Sequence, residues 1–185
     1  MTGLSVGAKL AWQAAVQEAA TAKFQFIEPE HIFIGICVLE KVTSLTPEDS
    51  GLKAQDYEAL QKEHSILQDL IKEFGLNIIL LRQGMRKKLG TGAYIHTEKI
   101  IHRSEKCKDV FDRANELASS PKKISSLHLL AAILEKSGTI SKLLSEAHVE
   151  TGALLKQTLK RISDGGAGIE DSAHKNDAPY PKDNA

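Results

Sequence analysis

The stretch SVGAKLAWQAAVQEA at residues 5–19 is written again as SEKCKDVFDRANELA at residues 104–118. In the first copy Ala8, Ala11, Trp12, Ala15, Val16 and Ala19 recur at the three- and four-residue intervals of an amphipathic helix. Cys107, Val110, Phe111, Ala114 and Ala118 repeat the series, with Phe111 standing where Trp12 stood. Ser5 and Ser104 directly precede these runs and are natural N-caps. Both copies then continue in step: IEPEHIFIGI at 27–36 answers ISSLHLLAAI at 124–133, and FGLNIILL at 74–81 answers AHVETGAL at 147–154. One supersecondary unit has been duplicated, so the halves are expected to pack as a pseudo-symmetric pair with Trp12 and Phe111 in equivalent buried places.

The second element of each repeat, residues 32–39 and 127–134, is apolar on every side, as the surrounded central helix of a bundle must be. Pro29 suits the first turn of such a helix, where a missing N–H costs nothing. Leu67, Leu70, Ile71 and Phe74 form a third apolar face that Gly75 ends, and Asn77 starts a fourth with Ile78, Leu81, Met85 and Leu89 before Gly90. Leu143, Leu144 and Ala147, then Leu154, Leu155, Leu159 and Ile162, answer them. No period-two run is bounded by turn residues, so the expected class is all-α, built as two four-helix repeats. Repeat one spans about 4–90 and repeat two about 100–163. An insertion at about 43–61 interrupts the first and is expected to lead into a long helix from about Lys53 to Glu73. Residues 164–185 supply breakers and charge and little to bury, and read as a disordered linker or tail.

Composition excludes more than it assigns. Lys and Arg total 24 against 24 Asp and Glu, so the chain has no electrostatic footprint for nucleic acid. Arg82, Arg86, Lys87 and Lys88 cluster late in a helix, where they complement its dipole. Cys37 and Cys107 lie far apart on apolar faces and read as core thiols in a reducing compartment. No stretch approaches the ~20 apolar residues that span a bilayer, and no secretory leader precedes the first helix. A soluble, cytoplasmic protein with no membrane partner is the expectation.

Motifs of catalysis are not found. The run GMRKKLGT at 84–91 fails the phosphate-loop spacing and sits on a helix. His96, His102 and Cys107 fit no standard metal spacing. Neither an enzyme nor a cofactor-binding protein is expected. The Glu30–His31 pair, with His128 in the matching place, carries two readings. The histidines tie the start of a buried helix to the loop before it, or Glu30 lines a binding groove between the repeated helices.

A small-residue-rich helix, a loop and then I-x-x-E-H followed by aliphatics, given twice, resembles the Clp N-terminal domain of Clp-type AAA+ unfoldases. IEPEHIFIGI stands where that family reads IGTEHLLLGL, KIIHRSEKC at 99–107 resembles the segment opening its second repeat, and FGLN at 74–77 resembles its LGVD. The resemblance implies a docking module for client and adaptor proteins, tethered to ATPase rings and a protease of the full-length assembly. Alternatives are a sensor or regulatory domain of a non-ATPase signalling protein, and a free-standing helical interaction domain.

Some members of the family bind phosphoarginine-bearing clients, with a hydroxyl at the start of the first helix and the glutamate of the E-H motif lining each pocket. A helix N-terminus there meets the phosphoryl group and a carboxylate meets the guanidinium. Carried onto this chain, the resemblance offers Ser5 and Glu30 in the first repeat, where Gly7 replaces a customary arginine. In the second it offers Ser104 and Lys106, but Leu127 replaces the glutamate. Neither repeat holds the full set, so general client or adaptor binding is favoured over phosphoarginine recognition.

Overall fold

The computed structural model describes residues 3–119 and 122–166. These form α1 (Val6–Thr21), α2 (Pro29–Thr43), a single turn α3 (Pro47–Ser50), α4 (Ala54–Glu73) and α5 (Ile78–Leu89) in the first half. The second half holds α6 (Glu105–Ala118), α7 (Ser126–Lys136), α8 (Gly138–Glu146) and α9 (Thr151–Arg161), followed by one π-helical turn, Ile162–Gly166. Among the described residues there is no strand, only two isolated parallel bridges. The fold is all-α, with four principal helices in each half.

The helices start where short polar residues can meet the orphan amides of a first turn. Ser5 accepts from the Ala8 amide at 3.0 Å, and Ser104 from that of Cys107 at 3.1 Å. Asn77 takes the amides of Ile79 and Leu80. Gly75 and Gly90, both at positive φ, follow α4 and α5, because a left-handed residue after a helix is cheapest without a Cβ. The expected insertion resolves into α3, capped by Thr46 and closed by Gly51, and the first turns of α4, which begins beside Lys53 as anticipated. Tyr57 bonds the carbonyls of Thr43 and Leu45, holding the insertion against the end of α2.

The core is continuous across the two halves. α2 and α7 are buried over nearly their whole length, as helices without a polar face must be. α1 approaches α2 through a stripe of fully buried alanines, Ala8, Ala11, Ala15 and Ala19. Gly35 sits so near that stripe that a Cβ added to it would lie 2.0 Å from the Ala11 carbonyl oxygen. Cys37 and Cys107 are buried in the core, where burial pushes the Cys37 thiol up to about 12.

One expectation needs correction and another is extended. Phe111 is fully buried, but Trp12 is only half-buried and packs edge-on to Phe111 at 5.4 Å. The two rings pack against each other, with Phe111 wholly inside the core and Trp12 at its edge. The basic cluster on α5 does more than face a dipole: Arg86 grips Glu18 of α1 through two hydrogen bonds, and Lys88 reaches Glu146 of α8. Of the segment expected as a tail, residues 164–166 belong to the terminal π turn, and the remainder lies outside the described residues.

Candidate functional site

The residues just before the first and second helices of each half pair with the other half, and this crossing decides which side chains meet. Leu4, before α1, bridges Ile124, before α7; Arg103, before α6, bridges Ile27, before α2. The bonds match in kind, from the Ser5 amide to the Ile124 carbonyl at 2.9 Å and from the Ser104 amide to the Ile27 carbonyl at 3.0 Å. The start of α1 therefore lies against the start of α7, and the start of α6 against the start of α2.

That geometry re-sorts the candidate residues. Ser5 and Glu30, expected together within the first repeat, sit at different junctions, as do Ser104 and Leu127. Ser104 instead donates to Glu28 Oε2 at 2.8 Å, beside the start of α2. Glu30 and Lys106 line one cleft of about 420 Å³ with Lys136, Ser137, Thr139 and Lys142. Within it the Ser137 hydroxyl, which caps α8, donates to Glu30 Oε1 at 2.7 Å. Lys106, Lys136 and Lys142 are exposed, and together they outnumber the acids Glu30 and Asp109 on the cleft wall. A hydroxyl at a helix start, a glutamate and a lysine thus converge across the repeats, although neither repeat contains the set.

The other junction is closed. Leu127 is fully buried, and the space beside Ser5 is filled by Glu63 of α4, which is 1 % exposed. Glu63 Oε1 accepts from the Ser5 hydroxyl at 3.1 Å and from the Ser126 amide at 2.6 Å. Burial raises its pKa, while the bonds from Ser126, Ser5 and the Gly7 amide oppose that rise by favouring the charged form. A Cβ on residue 7 would lie 2.5 Å from Glu63 Oε1, so the glycine in place of an arginine leaves room for this carboxylate. Sequence reading missed Glu63. Its signal was its place on α4, in register with Tyr57, Leu60, Leu67 and Leu70, all buried.

The two histidines tie helix starts to the loops before them, the first of their two readings. His31 Nδ1 accepts the Glu28 amide at 2.9 Å, and His128 Nδ1 accepts that of Ser125 at 3.0 Å. Burial lowers both pKa values, with Glu30 and Glu18 partly opposing it at His31, and burial with nearby Lys122 takes His128 to about 4. Both rings are neutral acceptors at neutral pH. An apolar edge was also missed: Ile95 is 81 % and Ile100 60 % exposed on the segment joining the halves. Phe26 and Tyr94 are partly exposed beside a small cleft there. Among the described residues no helix is long and apolar enough to cross a membrane, and no group of three or more His, Cys, Asp or Glu is placed to hold a metal.

Comparison with known proteins places this geometry. The family model described as the Clp repeat (R) N-terminal domain matches residues 58–147, from within α4 to just past α8. No curated protein matches the chain in sequence. Among solved structures, the Hsp104 N-terminal domain from Candida albicans aligns with a TM-score of 0.65 at 14 % identity, covering 91 % of this chain and 95 % of that one. The N-terminal domain of the chaperone ClpD from Arabidopsis thaliana aligns at 0.56 and 15 % identity, covering 86 % and 94 %. A structure from preliminary investigations of a malarial protein secretion system aligns at 0.57 and 18 % identity, covering 87 % and 97 %. Residues 58–147 thus belong to the Clp repeat (R) N-terminal domain family, and the described chain around them has the all-α fold of the Clp N-domains.

Proposed function

We propose that this domain docks client and adaptor proteins for a Clp-type unfoldase. One observation carries the reading: the cleft between α2, α6 and α8, which takes Glu30 from one repeat and Lys106, Lys136 and Lys142 from the other. A cleft with cationic side chains on its rim and a carboxylate within it can select polar features of an extended chain. The exposed Ile95 and Ile100 supply apolar surface of the kind an unfolded client covers.

Phosphoarginine recognition is a second reading, favoured by the way Lys106 and Glu30 share one cleft across the repeats with the Ser137 hydroxyl. In it Glu30 meets the guanidinium, while Lys106 and the start of α6 meet the phosphoryl group. Fluorescence anisotropy with a labelled unstructured polypeptide, prepared with and without arginine phosphorylation, tests both. Binding of the unmodified polypeptide that falls in Lys106→Ala supports general docking. Tighter binding of the phosphorylated form, weakened by about 1–3 kcal/mol in Glu30→Ala, supports phosphoarginine recognition, since that is the scale of a lost charge-assisted hydrogen bond. No binding of either polypeptide refutes the docking reading.

A further inference from the structure

A second cleft, of about 590 Å³, lies where the end of α1, the start of α2 and the end of α5 meet, and it shares no residue with the docking cleft. Its walls are mixed: Ile34 and Leu89 supply apolar surface, while Glu18, Arg86 and Lys87 supply charge. Glu18 engages Arg86 through two hydrogen bonds, which leaves the exposed Lys87 as the cation in excess. The chain leaving α5, which lines the cleft at Gly90 and Thr91, is pinned just beyond α1. Gly92 donates to the Ala22 carbonyl at 2.8 Å and Tyr94 to the Lys23 carbonyl at 3.0 Å. A wall held in place this way costs a ligand little ordering entropy. His31 also lines the cleft, and it carries an unmet hydrogen bond. Its Nδ1 accepts the Glu28 amide, so the single proton of the neutral ring sits on Nε2. That Nε2–H is buried and has no acceptor among the described residues. The Phe24 ring stands 4.8 Å away between centres and offers it no lone pair. A buried donor without an acceptor is costly, and a native fold keeps one where another molecule completes it.

We infer that this cleft is a binding site for a small organic acid, whose carboxylate accepts from the His31 Nε2–H and pairs with Lys87 while its carbon chain lies against Ile34 and Leu89. Each part of the ligand answers one feature of the walls. The unmet donor asks for an oxygen acceptor, the cation in excess asks for a negative charge, and the apolar residues ask for a hydrocarbon body. A space of this volume, mostly closed by three helices, suits a ligand of that size. The inference is independent of the docking reading, because no residue of the docking cleft takes part in it.

The experiment is titration of the isotope-labelled chain with sodium acetate, butyrate and hexanoate at neutral pH and constant ionic strength, with hexanol as the uncharged control. Proton–nitrogen correlation of the histidine side chains reads the ring directly. The parent should show His31 protonated on Nε2, and hexanoate should shift that signal together with the amides of Gly90 and Thr91. Affinity should rise from acetate to hexanoate by up to about fourfold per added methylene, the scale of burying one. Hexanol should leave the Nε2–H signal in place. Lys87→Ala should weaken hexanoate binding roughly twofold to fivefold, the scale of one exposed charge pair. Glu18→Gln removes negative charge from the wall and releases Arg86, so it should tighten binding. The inference is overturned if no acid moves the His31 Nε2–H signal, if hexanol moves it as far as hexanoate, or if the ring proton is on Nδ1. Equal binding of hexanoate by the parent, Lys87→Ala and Glu18→Gln chains overturns it as well.

Discussion

Replacing His128 by Gln should flatten the acid limb of the stability curve without removing the helix cap. In the folded chain His128 Nδ1 accepts the Ser125 amide at 3.0 Å, which only an unprotonated nitrogen can do. Burial, helped by Lys122, lowers its pKa from 6.5 to about 4. Between those values the unfolded chain binds the proton and the folded chain does not. The stability involved is therefore fully present above about pH 6.5 and lost as pH falls towards 4. At about 1.4 kcal/mol per tenfold change, the full span corresponds to roughly 3 kcal/mol, of which about 2.5 is gone by pH ~4.5.

A glutamine at the same N3 position can accept the same amide, and it does not titrate. Glu63 works in the opposite sense: its raised pKa gives stability that is present at low pH and lost as pH rises through the folded value. Burial of His31 acts in the same direction as burial of His128. The difference between parent and His128→Gln removes both contributions. Urea unfolding at about pH 7.5 and pH 4.5 gives the comparison by linear extrapolation. The parent should lose roughly 2.5 kcal/mol more than the variant between the two conditions. Parallel losses would refute the assignment of His128 as a buried neutral acceptor.

Two other substitutions test the packing. Phe111→Ala should cost about 3–5 kcal/mol and Trp12→Ala less, because Phe111 is fully buried while Trp12 is only half-buried; equal losses by urea unfolding would contradict the asymmetry of the two halves. Gly35→Ala should destabilise by about 2 kcal/mol or more, since its Cβ would lie 2.0 Å from a backbone oxygen that cannot swing away; a variant as stable as the parent would show that α1 and α2 have slack between them.

What the sequence determined by itself was local. Helix starts at Ser5, Asn77 and Ser104, helix ends at Gly75 and Gly90, and the duplicated plan were legible because capping and apolar periodicity act over a few residues. The unusual apolar roundness of α2 and α7 also foretold their central burial. Which junction each candidate residue joins was decided only by the tertiary structure. Ser5 and Ser126 share Glu63, and Lys106 shares a cleft with Glu30, through contacts between distant parts of the chain that no local pattern encodes. A repeat written twice in sequence fits equally well with pockets inside each half or between them. The parallel bridges from Leu4 to Ile124 and from Ile27 to Arg103 resolve that choice, because extended backbone beside a helix start must find its hydrogen bonds somewhere, and here it finds them in the other half. Glu63 follows the same rule: a carboxylate on an apolar face of α4 can be buried only where donors are waiting, and tertiary packing brings the starts of α1 and α7 to it.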